Sequence, residues 1–410
     1  MDSLTQVVLG AACGEAVLGR KIGNRAIVWG GIGGTIPDLD VLVGQIFMNE
    51  MNALAFHRGF MHSLLFGVMA PVVIGFLVFL LYDSSFYRRP AYRWFVAAMQ
   101  TIGVLIIVTL ISAVIRLVSG HWNVVGIILC LGGAAFVVRR LLLKTFDEQE
   151  EVNATFWDWY WLFFASIITH PLLDIFTNYG TQLFQPFSDY RVAFNTVSIV
   201  DPLYTVPFGL CVIGASMLHR ENNLRHKVNT AGLVWSCSFL GLTVINKQNM
   251  ANVFETSLAK SNLKYSRYTS NPTLFNNLLW YAVAESDSNY YYGMYSLLDK
   301  QRQVLRFDTI PKNRSLISGH QFDNDVNTLR WFSDNYYALS PTSSRDTLHY
   351  FDLRFGIIGD HYRGKESFVF PFELTLKNNR YTAHQHQGPS PQDMDVSEVF
   401  GALINRVKGR

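Results

Sequence analysis

Cysteine is scarce in this chain of 410 residues, and its placement excludes two common frameworks. The four cysteines, Cys13, Cys130, Cys211 and Cys237, all lie in strongly apolar stretches, and no Cys-x-x-Cys pair occurs. Buried thiols of this kind behave as small apolar side chains. The pattern therefore supports neither a disulfide framework nor a sulfur-ligated zinc site.

Charged residues are also scarce. Asp, Glu, Lys and Arg make up 16% of the chain, whereas hydrophobic residues make up 50% and the mean hydropathy is +0.16. Such a composition is unusual for a soluble protein of this length and indicates a membrane protein. The formal net charge of +3 gives no support to nucleic-acid binding. No basic stretch precedes the first apolar run, so a cleaved signal peptide is not expected.

Long apolar runs are confined to the first 246 residues. Several are about 20 residues long, which is the length of a helix that spans the hydrocarbon core. They predict a helical membrane domain over residues 1–246 with about eight segments, of which the first two are short enough to be tilted or to enter and leave on one side. The segments are 4–18, 26–36, 64–82, 95–118, 122–138, 156–176, 203–218 and 230–245.

Lys and Arg residues indicate the orientation, because short cytoplasmic loops retain them. Four alternate loops are basic, whereas the loops between them offer only Arg58 and Arg191, and Arg116 is the one exception. This distribution predicts that the opposite loop ends, and everything after residue 247, lie outside the cytoplasm. The basic loop residues are Arg20, Lys21, Arg25, Arg88, Arg89, Arg93, Arg139, Arg140, Lys144, Arg220, Arg225 and Lys227.

After residue 246 the pattern changes to short alternating segments, such as 304–308 and 367–374, between turn-rich stretches. This alternation is typical of β-strands. We expect a smaller extracytoplasmic α+β domain over residues 247–385, and a flexible tail with a short amphipathic segment over residues 386–410. Aromatic groups at 290–292, 331–332 and 336–337 could cap a site or fill the core of this domain.

Ionisable side chains recur in three short motifs at the ends of apolar segments. The motifs are Pro-Asp-Leu-Asp at 37–40, His-Arg-Gly-Phe-Met-His-Ser at 57–63 and Thr-His-Pro-Leu-Leu-Asp at 169–174. Ionisable groups are costly in a membrane and mark a functional site by default. All three motifs fall on one predicted face, and imidazoles with carboxylates suit zinc, iron or manganese. They predict a divalent metal site, with zinc favoured, whose candidate ligands are Asp38, Asp40, His57, His62, His170 and Asp174.

The spacing of the first two motifs indicates their local structure. Pro37 disfavours regular helix, so Asp38 and Asp40 are expected in an extended or turn conformation that points both carboxylates the same way. His57 and His62 are five residues apart and cannot share one helical face. We therefore expect His57 in a loop and His62 on the first turn of the next helix.

The third motif has helical spacing. His170 and Asp174 are four residues apart and share a face, with Pro171 marking either a kink or a new helix start.

Each motif also has a plainer interpretation. The two aspartates of the first motif could cap the next helix, the His-Arg pair of the second could anchor at the membrane interface, and His170 could satisfy a backbone carbonyl. We favour a shared site, because otherwise three sequence-distant motifs would coincide on one face by chance.

These motifs, in this order, resemble the YdjM-like family. Further similarity lies in Met-Asp-Ser-Leu-Thr at 1–5, Thr-Asn-Tyr-Gly-Thr at 177–181, Pro-Phe-Ser at 186–188 and Asp-Pro at 201–202, so the resemblance covers about residues 1–220. Members are described as LexA-binding, inner-membrane-associated, metal-dependent hydrolases. Two positions depart from the family pattern: Gln6 stands where His is usual, and Met61 where Thr is usual. Since amides bind zinc poorly, Gln6 either is not a ligand or weakens the site.

The residues and the resemblance together predict a hydrolase of the inner (plasma) membrane. A metal-activated water would attack an ester or phosphoester at the outer face, where an amphiphilic, lipid-like substrate is expected. Asp40, Arg58 and Asp201 are the expected catalytic residues, with Arg58 holding an anionic group and Asp2, Gln6 and Asp201 supporting the ligands. The alternative is a metal-binding membrane protein without hydrolase activity, either a transporter or an interaction protein. No internal repeat favours a transporter, and no particular protein partner is indicated.

Overall fold

The computed structural model describes residues 1–119, 124–147, 152–359, 361–364, 367–385 and 396–409. The chain forms two compact units. One unit comprises Met1–Val72 and Trp161–Arg410, and the other comprises Val73–Tyr160. All three ionisable motifs lie in the first unit, which therefore contains the candidate site.

Helices dominate the described chain up to residue 260. They are α1 (Ser3–Ile22), α2 (Asn24–Thr35), α3 (Leu39–Phe47), α4 (Glu50–Phe56), α5 (Leu64–Asp83), α6 (Pro90–Ser119), α7 (Val124–Asp147), α8 (Phe156–Asp174), α9 (Pro202–Ser216) and α10 (Asn223–Lys260). Each predicted apolar segment falls largely within one of these helices, although Trp122 and the side chain of Cys130 lie outside the described residues. The helix α10 runs without a break through position 246, the predicted end of the membrane domain.

The prediction of about eight membrane segments is not supported. Among the described residues, three stretches are long and apolar enough to cross a membrane: Asn24–Phe47, which contains α2 and α3, then Leu64–Asp83 and Asn223–Lys260. The 15 residues of α9 extend about 22 Å, which is short of a hydrocarbon core about 30 Å thick. The helix α1 is long enough but buries Gln6 and Glu15. Apolar composition alone does not separate helices that face lipid from helices packed inside the protein.

The helices α1 and α2 touch backbone to backbone through four glycines. A Cβ atom added at Gly10 would lie 2.4 Å from the Gly30 carbonyl oxygen, and one added at Gly14 would lie 2.8 Å from the Cα atom of Gly30. A Cβ atom added at Gly34 would lie 2.4 Å from the carbonyl oxygen of Gln6. Small residues permit such close approach between helices. The contact brings the end of α2, and the first ionisable motif behind it, against the start of α1.

A buried ion pair joins α1 to α10. Arg225 donates to both carboxylate oxygens of Glu15, at 2.6 and 2.5 Å, and its Nη1 atom donates to Asn24 Oδ1 and to the Leu218 carbonyl oxygen. The side chains of Glu15 and Arg225 are 0% and 2% exposed. Both charges are thus fully hydrogen-bonded, as buried charges must be if they are not to destabilise the fold.

The second unit, Val73–Tyr160, contains most of α5, the helices α6 and α7, and the first turn of α8. The helices α6 and α7 pack against each other. Within this unit, Tyr82 stacks on Trp159 with ring centroids 5.1 Å apart, and Tyr87 packs at 5.0 Å from Tyr82. These aromatic contacts join the end of α5 to the start of α8.

The C-terminal domain contains two four-stranded antiparallel sheets. In each sheet, strands that are neighbours in sequence are also neighbours in space, so each is a simple meander. The helix α11 (Asn324–Phe332) packs against β8, and α12 (Val396–Val407) follows the second sheet. The strands are β1 (Arg267–Pro272), β2 (Leu279–Glu285), β3 (Asn289–Ser296), β4 (Phe307–Pro311), β5 (Tyr337–Pro341), β6 (Thr347–Asp352), β7 (Pro371–Lys377) and β8 (Arg380–Gln385).

The aromatic groups predicted for this domain are divided between its core and the candidate site. Tyr290, Tyr292, Tyr336 and Tyr337 are buried in the two sheet cores, whereas Phe332 reaches towards the helical region. The predicted amphipathic segment of the tail corresponds to α12. Residues 386–395, the part of the tail predicted to be flexible, lie outside the described residues.

The helix α4 connects the C-terminal domain to the second ionisable motif. Met51 and Leu54 of α4 pack into the core formed by the second sheet and α11, among them Val326 and Leu329. The backbone N–H of Gln385 in β8 also donates to Glu50. Because His57 follows α4 directly, the C-terminal domain holds the segment that carries the second motif.

Candidate metal centre

The three ionisable motifs meet at the ends of helices. Asp38 is the N-cap residue of α3, and His62 closes a single 3-10 turn, Phe60–His62, just before α5. His170 and Asp174 lie in the last turn of α8, which continues through Pro171. These four residues come from three separate parts of the sequence, and their side chains converge on one point.

Four ligand atoms in this cluster are closely spaced. His62 Nε2 and His170 Nε2 are 3.1 Å apart, and each lies 3.4–3.5 Å from Asp38 Oδ1 and from Asp174 Oδ2. Ligands about 2.0–2.1 Å from a tetrahedral ion would be about 3.3–3.4 Å apart. The two imidazole nitrogens and Asp38 Oδ1 therefore have the spacing of three ligands of one divalent cation, and Asp174 Oδ2 lies at the same distance from both nitrogens.

The orientation of the two imidazoles also favours a cation. His170 Nδ1 lies 2.6 Å from the carbonyl oxygen of Gly34, which can only accept, so this nitrogen carries the hydrogen. His62 Nδ1 lies 3.1 Å from Asp40 Oδ2 and makes no hydrogen bond among the described residues. If His62 also carries its hydrogen on Nδ1, the side that faces Asp40, the two Nε2 lone pairs of the neutral rings face each other across 3.1 Å. Such an arrangement is repulsive unless a metal ion or a proton lies between the rings.

The two carboxylate oxygens of Asp174 face different neighbours: Oδ1 faces α1, and Oδ2 faces the candidate metal position. Its Oδ1 atom accepts from Gln6 Nε2 at 3.0 Å and from the Met1 amino group. Its Oδ2 atom is buried and has no hydrogen-bond partner among the described residues. Since buried polar atoms are normally satisfied, this oxygen is available to a ligand. Gln6, the residue that departs from the family pattern, thus contacts a candidate ligand and orients it.

Asp40 and His57 lie next to the four ligand atoms but are not among them. Asp40 Oδ1 contacts His57 Nδ1 at 2.9 Å, and Asp40 Oδ2 accepts from the backbone N–H of Arg58 at 2.8 Å. Asp40 is buried, whereas the His57 side chain is 22% exposed. Asp40 therefore contacts a ring nitrogen of both His57 and His62. The candidate ligand His57 thus has a carboxylate partner.

The expected turn conformation of the first motif is confirmed for Asp38 and wrong for Asp40. Pro37 and Asp38 form a turn, whereas Asp40 lies in the first turn of α3. The two carboxylates contact different nitrogens of His62, since Asp38 Oδ1 lies 3.5 Å from Nε2 and Asp40 Oδ2 lies 3.1 Å from Nδ1. Asp38 makes no side-chain cap bond, so the plainer interpretation as a helix cap does not account for it either.

Arg58 adds a cation next to the cluster. Its Nη1 atom donates to Thr177 Oγ1 at 2.8 Å, and its Nε atom lies 3.4 Å from Asp174 Oδ2 without a hydrogen bond. The guanidinium also lies 4.8 Å from the centre of the Tyr179 ring. Arg58 has a left-handed backbone conformation (φ 58°), which is uncommon for a non-glycine residue and is often found at functional sites.

An aromatic wall separates the cluster from the C-terminal domain. Tyr179 packs edge-on against His57 at 5.1 Å and against Phe332 at 5.0 Å. Arg191 lies on the same ring and donates to the carbonyl oxygens of Tyr179 and Phe332. Burial and the nearby charge of Arg354 lower the pKa of Arg191 to about 9, while burial raises the pKa of Tyr179. Sequence reasoning did not single out Tyr179 or Arg191 as site residues, although Tyr179 belongs to a motif of the resemblance.

Asp2 and Asp201 serve as helix caps. Asp2 accepts from the backbone N–H and the hydroxyl of Thr5 at the start of α1. Asp201 Oδ1 accepts from the backbone N–H of Leu203 at the start of α9, and burial raises the pKa of Asp201. The structure therefore gives both residues a capping role, Asp2 at the start of α1 and Asp201 at the start of α9.

The family model of YdjM inner membrane proteins matches residues 1–250 of the chain. The chain belongs to this family. The match includes every ionisable motif of the cluster and ends before the first strand of the C-terminal sheets. Membership and the apolar helices together identify an inner-membrane protein. No curated protein sequence and no solved structure matches the chain.

Proposed function

We propose that this YdjM family member is a metal-dependent hydrolase that cleaves an ester or phosphoester bond. The observation that carries the proposal is the pair of buried imidazoles whose Nε2 atoms face each other at 3.1 Å, with two carboxylate oxygens 3.4–3.5 Å away. Asp38, His62, His170 and Asp174 would hold the ion, and zinc suits this nitrogen and oxygen set. When bound, a divalent ion of this kind makes water nucleophilic near neutral pH.

His57 and Asp40 form the acid–base pair of the proposed mechanism. Asp40 Oδ1 lies 2.9 Å from His57 Nδ1, which favours the tautomer with hydrogen on Nδ1 and a free lone pair on Nε2. His57 is partly exposed and adjoins His62, with ring centroids 5.8 Å apart. It can accept the proton of the attacking water and return it to the leaving oxygen. This role replaces direct metal ligation, which the sequence suggested for both residues.

Arg58 would bind the anionic part of the substrate. The Arg58 Nε atom is buried and makes no hydrogen bond among the described residues, and it faces the cluster beside Asp174. A guanidinium suits phosphate and carboxylate oxygens and stabilises charge that develops during attack. In the balanced reaction, the water oxygen bonds to the phosphorus or carbonyl carbon, the bond to the leaving oxygen breaks, and that oxygen takes up the water proton.

The proposed orientation places the site and the C-terminal sheets outside the cytoplasm in a multi-pass chain. Its support is the concentration of Lys and Arg at the opposite helix ends, such as Arg20 and Lys21 in the last turn of α1 and Arg25 at the start of α2. Cysteine accessibility to a membrane-impermeant reagent tests it. Labelling of a cysteine introduced at Ser343 in intact spheroplasts supports the orientation, and labelling only after lysis contradicts it.

The first experiment measures the metal content of the purified protein, beside His62→Ala and His170→Ala. We expect near-stoichiometric zinc, manganese or iron in the wild type and loss of that metal in both variants. His219→Ala is the matched control, because His219 is exposed in the loop after α9 and should retain the metal. Wild-type protein that is folded but does not bind these metals would contradict the proposal.

The second experiment measures hydrolysis of ester and phosphoester substrates by the metal-loaded protein. We expect His57→Ala to retain the metal and lose most of the activity, since a general base contributes about 10²–10⁴-fold to the rate. Metal binding without hydrolysis of any substrate would favour the alternative, a metal-binding membrane protein that is not an enzyme.

A further inference from the structure

The apolar face of α3 begins directly at a candidate metal ligand. Asp38 immediately precedes this helix, and Asp40 and Gly44 on its inner side are buried. Its outer side carries Leu42, Ile46 and Phe47, whose exposed fractions are 54%, 70% and 77%. The helix therefore presents large apolar side chains outward, together with Gln45, while its one charged residue, Asp40, points inward, which is unlike a helix on a water-facing surface.

The exposed members of the cluster show where a substrate can enter. The side chains of His62, His170 and Asp174 are 0% exposed, whereas those of Asp38 and His57 are 21% and 22% exposed. Both exposed residues adjoin apolar surface, because Asp38 begins α3 and Phe60, which follows His57 closely, is 40% exposed. A substrate that approaches the cluster thus passes along apolar side chains and meets polar side chains at the cluster itself.

The apolar side of this approach belongs to a candidate membrane span. The stretch Asn24–Phe47, which ends with α3, is long and apolar enough to cross a bilayer. Acyl chains are the natural neighbours of exposed Leu, Ile and Phe side chains in such a stretch. The polar end offers the Arg58 guanidinium, whose Nε atom is buried without a hydrogen-bond partner among the described residues. A ligand that satisfies both ends carries an anionic head and aliphatic chains.

We propose that the substrate is a phospholipid of the surrounding bilayer, whose acyl chains lie along Leu42 and Ile46 of α3 and whose phosphoester reaches the cluster beside Arg58. This inference rests on the proposed hydrolase function and specifies its substrate. The lipid enters sideways from the membrane, so its chains stay in an apolar environment while its head reaches the buried ligands.

The test compares two substrates and two double variants in nanodiscs of defined phospholipid. The double variant Leu42→Asn/Ile46→Asn removes the apolar side of the approach and leaves the cluster intact. Leu210→Asn/Ile213→Asn is the matched control, because these residues of α9 have similar exposure. They lie about 13–18 Å along α9 from Asp201, towards its opposite end. Gel filtration and thermal unfolding establish that both variants fold.

The expected result is a selective loss. The α3 variant should hydrolyse the nanodisc phospholipid roughly tenfold more slowly or worse, since it loses two aliphatic contacts. It should hydrolyse a water-soluble bis(p-nitrophenyl) phosphate within about twofold of the wild-type rate, and the α9 variant should match the wild type on both substrates. Equal rates of phospholipid hydrolysis in the α3 variant and the wild type would overturn the inference, as would equal losses on both substrates.

A binding measurement separates this inference from the hydrolase function. Native mass spectrometry reports how much non-hydrolysable ether phospholipid remains bound to each protein. Retention by the wild type and the α9 variant, with loss in the α3 variant, supports the phospholipid site even if no hydrolysis occurs, in which case only the hydrolase function fails. Hydrolysis of the soluble ester without phospholipid binding or hydrolysis preserves the function and overturns the substrate. A dimer that dissociates in the α3 variant, with no lipid bound, would assign this face to a second copy of the chain.

Discussion

Two buried polar clusters in the helical region differ in how completely they are satisfied. At one, Glu15 and Arg225 neutralise each other, and Asn24 and the Leu218 carbonyl take up the remaining guanidinium contacts. At the other, the candidate metal centre, Asp174 Oδ2 is buried without a hydrogen bond and two imidazole Nε2 atoms face each other. The first cluster is complete without a ligand, whereas the second leaves a buried carboxylate oxygen without a hydrogen bond among the described residues. Burial of charge alone thus does not mark a candidate site, whereas an unsatisfied carboxylate oxygen beside two imidazole nitrogens does.

The largest effect on stability is expected when the buried Glu15–Arg225 ion pair is broken. Arg225→Ala leaves the Glu15 carboxylate buried and unpaired, which should lower the free energy of unfolding by about 3–5 kcal/mol. Thermal unfolding of the purified protein measures this. The double variant Glu15→Leu/Arg225→Met removes both charges and should recover most of the loss. If the double variant were as unstable as the single one, the pair would not be compensating for buried charge.

Metal addition should stabilise the incomplete cluster by a similar amount. At a free metal concentration about a thousand times Kd, the wild-type protein should gain about 4 kcal/mol, and a chelator should remove that gain. Asp174→Asn keeps the side-chain volume but removes an anionic ligand, so its melting temperature should respond weakly to metal. A response in Asp174→Asn equal to that of the wild type would show that the ion binds elsewhere.

The glycine contact between α1 and α2 should affect both stability and metal affinity. Gly10→Ala places a Cβ atom 2.4 Å from the Gly30 carbonyl oxygen, so the helices must separate, at a cost of roughly 1–3 kcal/mol. The separation also moves Gly34, whose carbonyl orients His170. Gly241→Ala is the control, because a Cβ atom there meets nothing within 4 Å. Equal stability of the two variants in chemical unfolding would contradict the close contact.

The smallest effect is expected from Asp40, which orients histidines without belonging to the four-atom cluster. Asp40→Asn should weaken metal binding by about 10–100-fold, the usual range for a residue that supports a metal ligand. Asp201→Asn should leave metal affinity unchanged, since Asp201 caps α9. Isothermal titration of the metal-free proteins distinguishes these outcomes. Complete loss of metal in Asp40→Asn would instead make Asp40 a ligand, as the sequence suggested.

The sequence was informative where a residue's role follows from its immediate neighbours. The helical spacing of His170 and Asp174 predicts a shared face, and the structure places their ligand atoms 3.4 Å apart. It was less informative for Asp40, because an extended or turn conformation was expected there, whereas α3 begins at Leu39.

The number of membrane segments shows the same limit on a larger scale. Each apolar run predicts a helix, but whether a helix such as α1 faces lipid or protein depends on its neighbours. Its buried Glu15 is paired with a residue 210 positions away, which no local pattern reveals.

The sequence by itself determined the apolar helices, the three ionisable motifs and the family, because composition, spacing and motif order are properties of the linear chain. Only the tertiary structure decided which of the six candidate ligands meet, and which histidine instead pairs with Asp40. It did so by bringing α1 and α2 into glycine contact and by docking α4 on the C-terminal sheets. Distances of about 3 Å between side chains more than 100 residues apart follow from such packing, since local sequence does not specify which way a side chain points across an interface.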